Sequence, residues 1–203
     1  MSDYYSYKPL VTLDRPVALV GFPGCRPLQT ARVASMITGV PLLLLPHKVG
    51  HHLGRTVEGL LLDGAHESLH GAEQLFLERA LAERTRPLVA LGPTTLEDPV
   101  LRAWIREHFQ IVHLAQSLTE AVNAIEAEMK EDVRKHRHLD AYAPIGAATL
   151  RPLFDRRTAL FREVAEVEVD VKGRAPLTVG RELPEKLGWE ISAGEPPVRA
   201  TPG

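Results

Sequence analysis

An α/β fold of three layers, with a five-stranded parallel sheet between helices, is what this sequence predicts, and three observations carry the prediction. Strand-like runs recur at residues 17–20, 42–45, 88–91, 111–114 and 167–171. They read as continuous apolar runs rather than alternating ones, as expected of strands covered on both faces. Segments with a 3.6-residue apolar period lie between them, and strand–helix alternation specifies a parallel sheet with right-handed crossovers.

The first run, Val17-Ala18-Leu19-Val20, enters Gly21-Phe22-Pro23-Gly24-Cys25 and then a helical stretch at 28–38. That is the strand–loop–helix frame of a phosphate-binding loop. A working loop closes on Gly-Lys-Ser/Thr, where the lysine neutralises the transferred phosphate and the hydroxyl holds Mg²⁺. Arg26, Pro27 and Leu28 stand at those positions. Gly21, Gly24 and Arg26 thus outline a degenerate loop, and Pro27 removes a backbone N–H where an anion would be cradled. An ordinary tight turn is the competing reading.

Further along, residues 67–84 carry Leu69, Ala72, Leu75, Phe76, Ala80 and Leu81 as a helical stripe. Residues 117–135 repeat the pattern with Leu118, Ala121, Val122, Ile125 and Met129, and Ser117 is the expected N-cap with Glu120 three residues on. Pro144 and Gly146 mark 139–148 as a loop between helices. The expected organisation is an N-terminal extension at 1–14, one domain at 15–190 and a disordered tail at 191–203, where Pro and Gly have no apolar period.

Composition narrows the function. With 203 residues and 44% hydrophobic content, the chain can bury one good core. A net charge of −2 argues against nucleic-acid and membrane partners. The basic cluster Arg134-Lys135-His136-Arg137-His138 reads as a solvated helix end. Residues 1–14 are polar and do not read as a signal peptide, and the longest apolar run, 40–45, is too short to span a bilayer. The single cysteine, Cys25, fits a reducing cytoplasm and reads as an inert turn residue.

Nine histidines include His66 and His70, which flank a literal His-Glu-x-x-His with Glu67. On a helix, positions i and i+4 share a face, so the two imidazoles can chelate zinc while Glu67 serves as general base. A third ligand would have to be Glu73, His47 or His51. The bland reading is a polar cleft lining. His108, His113, His136 and His138 read as ordinary element-end residues.

Together these elements resemble a shikimate kinase, a small P-loop kinase of the nucleoside-monophosphate-kinase class, over roughly residues 16–187. Residues 17–24 are similar to the family's strand and loop. Gly54-Arg55-Thr56, Asp63-Gly64, Leu69 and Glu73 look like its substrate-binding subdomain. Pro87-Leu88-Val89-Ala90-Leu91-Gly92 resembles the strand that ends in three glycines. Arg156-Arg157-Thr158-Ala159-Leu160-Phe161 is similar to the Arg-x-Pro-Leu-Tyr segment that leads into the last strand.

At the functional positions the resemblance implies mostly losses. The family's Asp-x-Asp falls on Leu44 and Pro46, its substrate arginine on His70, and an adenine-side arginine near Ala124. The nearest candidates for the lid arginine are Arg134 and Arg151-Pro152-Leu153. Glu73 and Arg157 survive, and Gly92 remains of the glycine triplet. Phosphoryl transfer depends on positioning and charge neutralisation, so these losses remove nearly everything that lowers the barrier. The expectation is a cytoplasmic pseudokinase without ATP or Mg²⁺ as cofactor. It would bind a small anionic ligand through Arg157, His70, Glu73 and Gly92, or a partner protein. The alternatives are a zinc-dependent hydrolase using His66, Glu67 and His70, and a residual or atypical shikimate kinase.

Overall fold

Residues 10–132 and 135–190 are described by the structure, a computed structural model. The expected tail and the first nine residues of the expected extension lie outside the described residues. In chain order the elements are β1 (Val17–Gly21), α1 (Pro27–Thr38), β2 (Leu42–Leu44), α2 (Leu45–Leu53), α3 (Val57–Leu62), α4 (His66–Ala82) and β3 (Leu88–Ala90). These are followed by α5 (Pro99–His108), β4 (Gln110–Ala115), α6 (Leu118–Glu131), a 3-10 turn (Arg137–Tyr142), α7 (Ala147–Val164), β5 (Val167–Asp170) and α8 (Pro176–Lys186). All strand pairs are parallel, in the order β2-β3-β1-β4-β5. The five-stranded α/β sheet is therefore as the sequence predicts.

The continuous apolar runs have a direct cause. Successive side chains of a strand point to opposite faces, and here both faces are covered. Val17 and Leu19 of β1 join the core beneath α1, α6 and α8, whereas Ala18 and Val20 join the core beneath α2, α4 and α5. β5 departs from the expectation. At this sheet edge Val169 is buried while Glu168 and Asp170 are exposed, because only one face is covered.

Local chemistry sets the helix ends. α1 begins on Pro27 and stops at Gly39, whose left-handed φ of 70° lets its N–H reach Ser35 O. α6 opens with the expected Ser117/Glu120 capping box and ends at Glu131, before the expected 135. Two expectations for the region beyond it are corrected. The first part of 139–148 belongs to the 3-10 turn, anchored by the fully buried Leu139. Arg151-Pro152-Leu153 lies inside α7 with Leu153 in the core, so it is no lid.

Val11 and Leu13, ahead of residue 15, are buried in the core, and Leu10 N–H donates to Thr38 O at 2.9 Å. No helix among the described residues is long and apolar enough to cross a membrane.

Candidate functional site

At the carboxyl ends of β1, β2 and β3 lies a cavity of about 630 Å³, where parallel α/β sheets place their ligands. The turn after β1 forms one wall, with Gly21, Phe22, Gly24 and Arg26. Pro46, His47, Gly50 and His51 of α2, the stretch 54–58, and Leu91-Gly92-Pro93 form the others. Glu128, His136 and His138 close it from the end of α6 and the turn beyond.

The loop's two glycines are fixed by close approach. A Cβ on Gly21 would lie 2.9 Å from Cys25 Cβ and 3.0 Å from Leu114 O. One on Gly24, at φ 96°, would lie 3.0 Å from both Ala121 O and Ala124 Cβ, so α6 sits directly on the loop. Cys25 is buried and its Sγ donates to Leu114 O at 3.1 Å. Burial pushes its thiol up to about 12, so the inert reading of the sequence fits.

Arg26 caps α1 from the left-handed region, φ 55° and ψ 50°, where glycine is the default residue. Its Nε donates to Glu128 Oε1 at 2.7 Å, and the other carboxylate oxygen meets His136 Nε2 at 2.8 Å. The His136 hydrogen bond first, and then Arg26, hold the Glu128 carboxyl down at about 2 against the opposing effect of burial. Glu128 therefore stays ionised across the physiological range, with 13% of its side chain exposed. The carboxylate sits on the loop's cation.

Of the cluster 134–138, Arg134 lies outside the described residues, Lys135 and Arg137 are exposed as expected, and His136 and His138 correct the reading because both line the cleft. Neither ring nitrogen of His138 has a partner among the described residues. Burial, aided by the Arg157 charge, pushes its pKa down to about 3 and keeps the ring neutral. His113 is likewise no element-end residue. It sits buried within β4, directly across from Glu168 of β5, and its Nδ1 lies 3.0 Å from Glu168 Oε2. His108 does close α5, with Nδ1 2.8 Å from Trp104 O.

The residues expected to hold the ligand are placed differently from that expectation. Gly21, Gly24, Arg26 and Gly92 line the cleft; His70, Glu73 and Arg157 do not. Gly92 N–H donates to Thr95 Oγ1 at 2.9 Å, Thr95 Oγ1 donates to Glu73 Oε1 at 2.6 Å, and Glu73 Oε2 lies 2.9 Å from His70 Nδ1. That last bond raises the His70 pKa despite burial. Arg157 is 4% exposed, donates from Nε to Glu97 Oε1 at 2.7 Å, and stands 6.0 Å from the Phe22 ring. His70 and Glu73 meet partners inside the protein, whereas Arg157 keeps one buried nitrogen, Nη1, without a hydrogen-bond partner among the described residues.

The His-Glu-x-x-His residues open α4 as read. The His66 and His70 rings stack with centroids 6.3 Å apart, and Glu67 is exposed in the first turn. Among the described residues, no group of three or more His, Cys, Asp or Glu side chains is placed to hold a metal ion. His47 and His51, the other candidate ligands, face the cleft instead. Sequence reading missed Glu128 and His136, and no local signal could have found them. Glu128 is one acid among several on an amphipathic helix.

No protein-family model matches the chain. It is 28% identical over 169 residues to shikimate kinases of Mycobacterium bovis (strain BCG / Pasteur 1173P2) and Mycobacterium tuberculosis (strain ATCC 25177 / H37Ra), covering 83% of this chain and 91% of each relative. Among solved structures it is similar to a shikimate kinase from Acinetobacter baumannii in complex with shikimate, with TM-score 0.69 and 18% identity over 86% of this chain and 93% of that one. A shikimate kinase from Bacteroides thetaiotaomicron gives TM-score 0.67 and 13% identity over 86% and 98%.

Proposed function

Because the chain is a shikimate kinase-like protein of the P-loop kinase fold, we propose that it is a pseudokinase: it does not transfer phosphate from Mg·ATP, and its cleft binds a small anionic molecule. One observation carries the reading. Where a phosphate loop presents lysine and a Mg²⁺-binding hydroxyl, this loop presents Pro27 and Leu28, and its one cation, Arg26, is neutralised by Glu128. Phosphoryl transfer is catalysed by positive charge placed around the migrating group and its metal. A loop capped by a carboxylate opposes that charge distribution. Leu44 and Pro46, at the positions of the family's carboxylate pair, offer no metal ligand either.

Support for a small molecule over a protein partner comes from the cleft's shape. It is concave and mainly apolar, with a few convergent polar groups. An anion entering it meets His47, His51 and Arg55, all of which line the wall. Arg55 also pairs with Asp63, both side chains being about half exposed. Titration calorimetry with Mg·ATP, alongside an ADP-release assay with shikimate, tests the reading. The expected result is neither heat nor turnover. Micromolar affinity for Mg·ATP, or turnover above the no-enzyme rate, overturns it.

A further inference from the structure

The Glu128 cluster has a second meaning that rests on reading the cleft as a binding site without Mg·ATP chemistry. We infer that Glu128 is an internal ligand: its carboxylate fills an oxyanion site built by Arg26 and His136, and an external phosphate or carboxylate enters that site only by displacing it.

The geometry is that of a held ligand. Arg26, from the loop, and His136, from the turn beyond α6, each take a different oxygen of one carboxylate, at 2.7 and 2.8 Å. Separate donors converging on two oxygens of one group are how proteins grip carboxylates and phosphates. Both donor residues also hold positive φ, 55° for Arg26 and 59° for His136, and they are the only non-glycine residues to do so among those described. Left-handed backbone costs energy for any residue with a Cβ and persists where the surroundings over-determine it. Here the two instances meet on a single carboxylate.

That carboxylate is also reachable and movable. Arg26, Glu128 and His136 all line the cavity, and 40% of the Arg26 side chain is exposed. The fully packed residues of α6 are Leu118, Ala121, Val122 and Ile125, all N-terminal to Glu128. Glu128 follows them in the last turn, where core contact has thinned to the partly buried Met129, so the carboxylate can move by side-chain rotation while the packed part of the helix stays in place. In the resting chain an incoming oxyanion meets a carboxylate of like charge in front of the two donors. With Glu128 displaced or neutralised, it meets the donors alone.

Metal-free inorganic pyrophosphate is the probe, with malonate as the carboxylate counterpart, titrated into wild type, Glu128→Gln, and Glu128→Gln with Arg26→Ala. Glu128→Gln is expected to bind one or both probes at least tenfold more tightly than wild type, and the double variant is expected to lose that gain. Preference for pyrophosphate assigns the site to phosphates, and preference for malonate to carboxylates. A folded Glu128→Gln protein that binds neither probe more tightly overturns the inference, as does a gain that survives the loss of Arg26. A second measurement needs no variant. Saturating pyrophosphate should shift the Glu128 Cδ resonance of labelled wild type, and an unmoved Glu128 with a perturbed His136 ring refutes displacement. Failure of the pseudokinase reading is distinguishable, because it shows as Mg·ATP affinity in wild type and leaves the metal-free comparison intact.

Discussion

Replacing Arg26 tests the loop, because two effects of similar size act on one residue. Arg26 holds φ 55°. For a residue with a Cβ this costs about 1 kcal/mol relative to glycine. Its Nε also bonds the Glu128 carboxylate at 2.7 Å. A charge-assisted hydrogen bond is worth roughly 1.5–3 kcal/mol when buried, and exposure of 40% of the arginine side chain reduces this to about 1 kcal/mol. Arg26→Gly removes the bond and the strain together, so its stability should stay within about 0.5 kcal/mol of wild type. Arg26→Ala removes the bond and keeps the strain, so it should be about 1 kcal/mol less stable than the glycine variant, or roughly 2–4 °C in Tm for a chain of this size. Urea unfolding followed by circular dichroism, with m compared across the three proteins, measures the difference. An alanine variant as stable as the glycine variant refutes the reasoning, because residue 26 would then not be left-handed.

Two further outcomes follow from packing and protonation. A Cβ on Gly180 of α8 would lie 2.6 Å from Val33 Cβ and 2.8 Å from the backbone Thr30 O of α1. Overpacking of about 1–3 kcal/mol exceeds the roughly 0.5–1 kcal/mol that alanine gains over glycine in a helix, so Gly180→Ala should lower Tm, and an unchanged Tm would count against this helix contact. For pH, the folded His138 titrates at about 3 and its unfolded form near 6.5, so the unfolded state binds the proton first and stability should fall as pH drops from 6.5 toward 3. Glu128, held at about 2 against an ordinary 4.5, adds to the loss below 4.5, and His113, lowered by burial, acts in the same direction as His138. His70, raised by Glu73, acts oppositely: its stabilisation is present below 6.5 and is lost as pH rises through its folded value. His138→Phe should flatten the slope between 6.5 and 4.5 in pH-dependent denaturation, and an unaltered slope would show that His138 is not buried neutral.

The fold was legible because its causes are local or periodic. Burial on two faces writes itself as the runs at β1 and β4, and the Ser117/Glu120 box and Gly39 mark helix ends in plain text. The site was legible only in part. Gly21, Gly24 and Arg26 could be placed because strand, turn and helix are contiguous there. From sequence Arg157 reads as a contact for a small anionic ligand, whereas its Nε donates to Glu97 in the stretch after β3, and no spacing rule links those positions. His113 looks terminal until the β4–β5 register sets it opposite Glu168. Where the chain returns after α6 decides that Glu128 and His136 face the cleft, and that choice is tertiary.

The junction of β2 and α2 bears on what this chain could become. β2 ends at Leu44 and α2 begins at Leu45 with no loop between them; Leu45 is fully buried and Pro46 lies in the first helical turn. Leu44 is half-buried against the core, so a carboxylate there would be partly desolvated among apolar side chains, which opposes metal binding. A lysine restored at position 27 would meet the same deficit, since the metal it works beside would still lack its ligands. If the pseudokinase proposal holds, Mg·ATP chemistry here would call for a changed backbone between β2 and α2 as well as new side chains. Single substitutions do not lengthen a backbone, so on the pseudokinase proposal changes at 27, 44 and 46 alone are expected to leave Mg·ATP turnover absent.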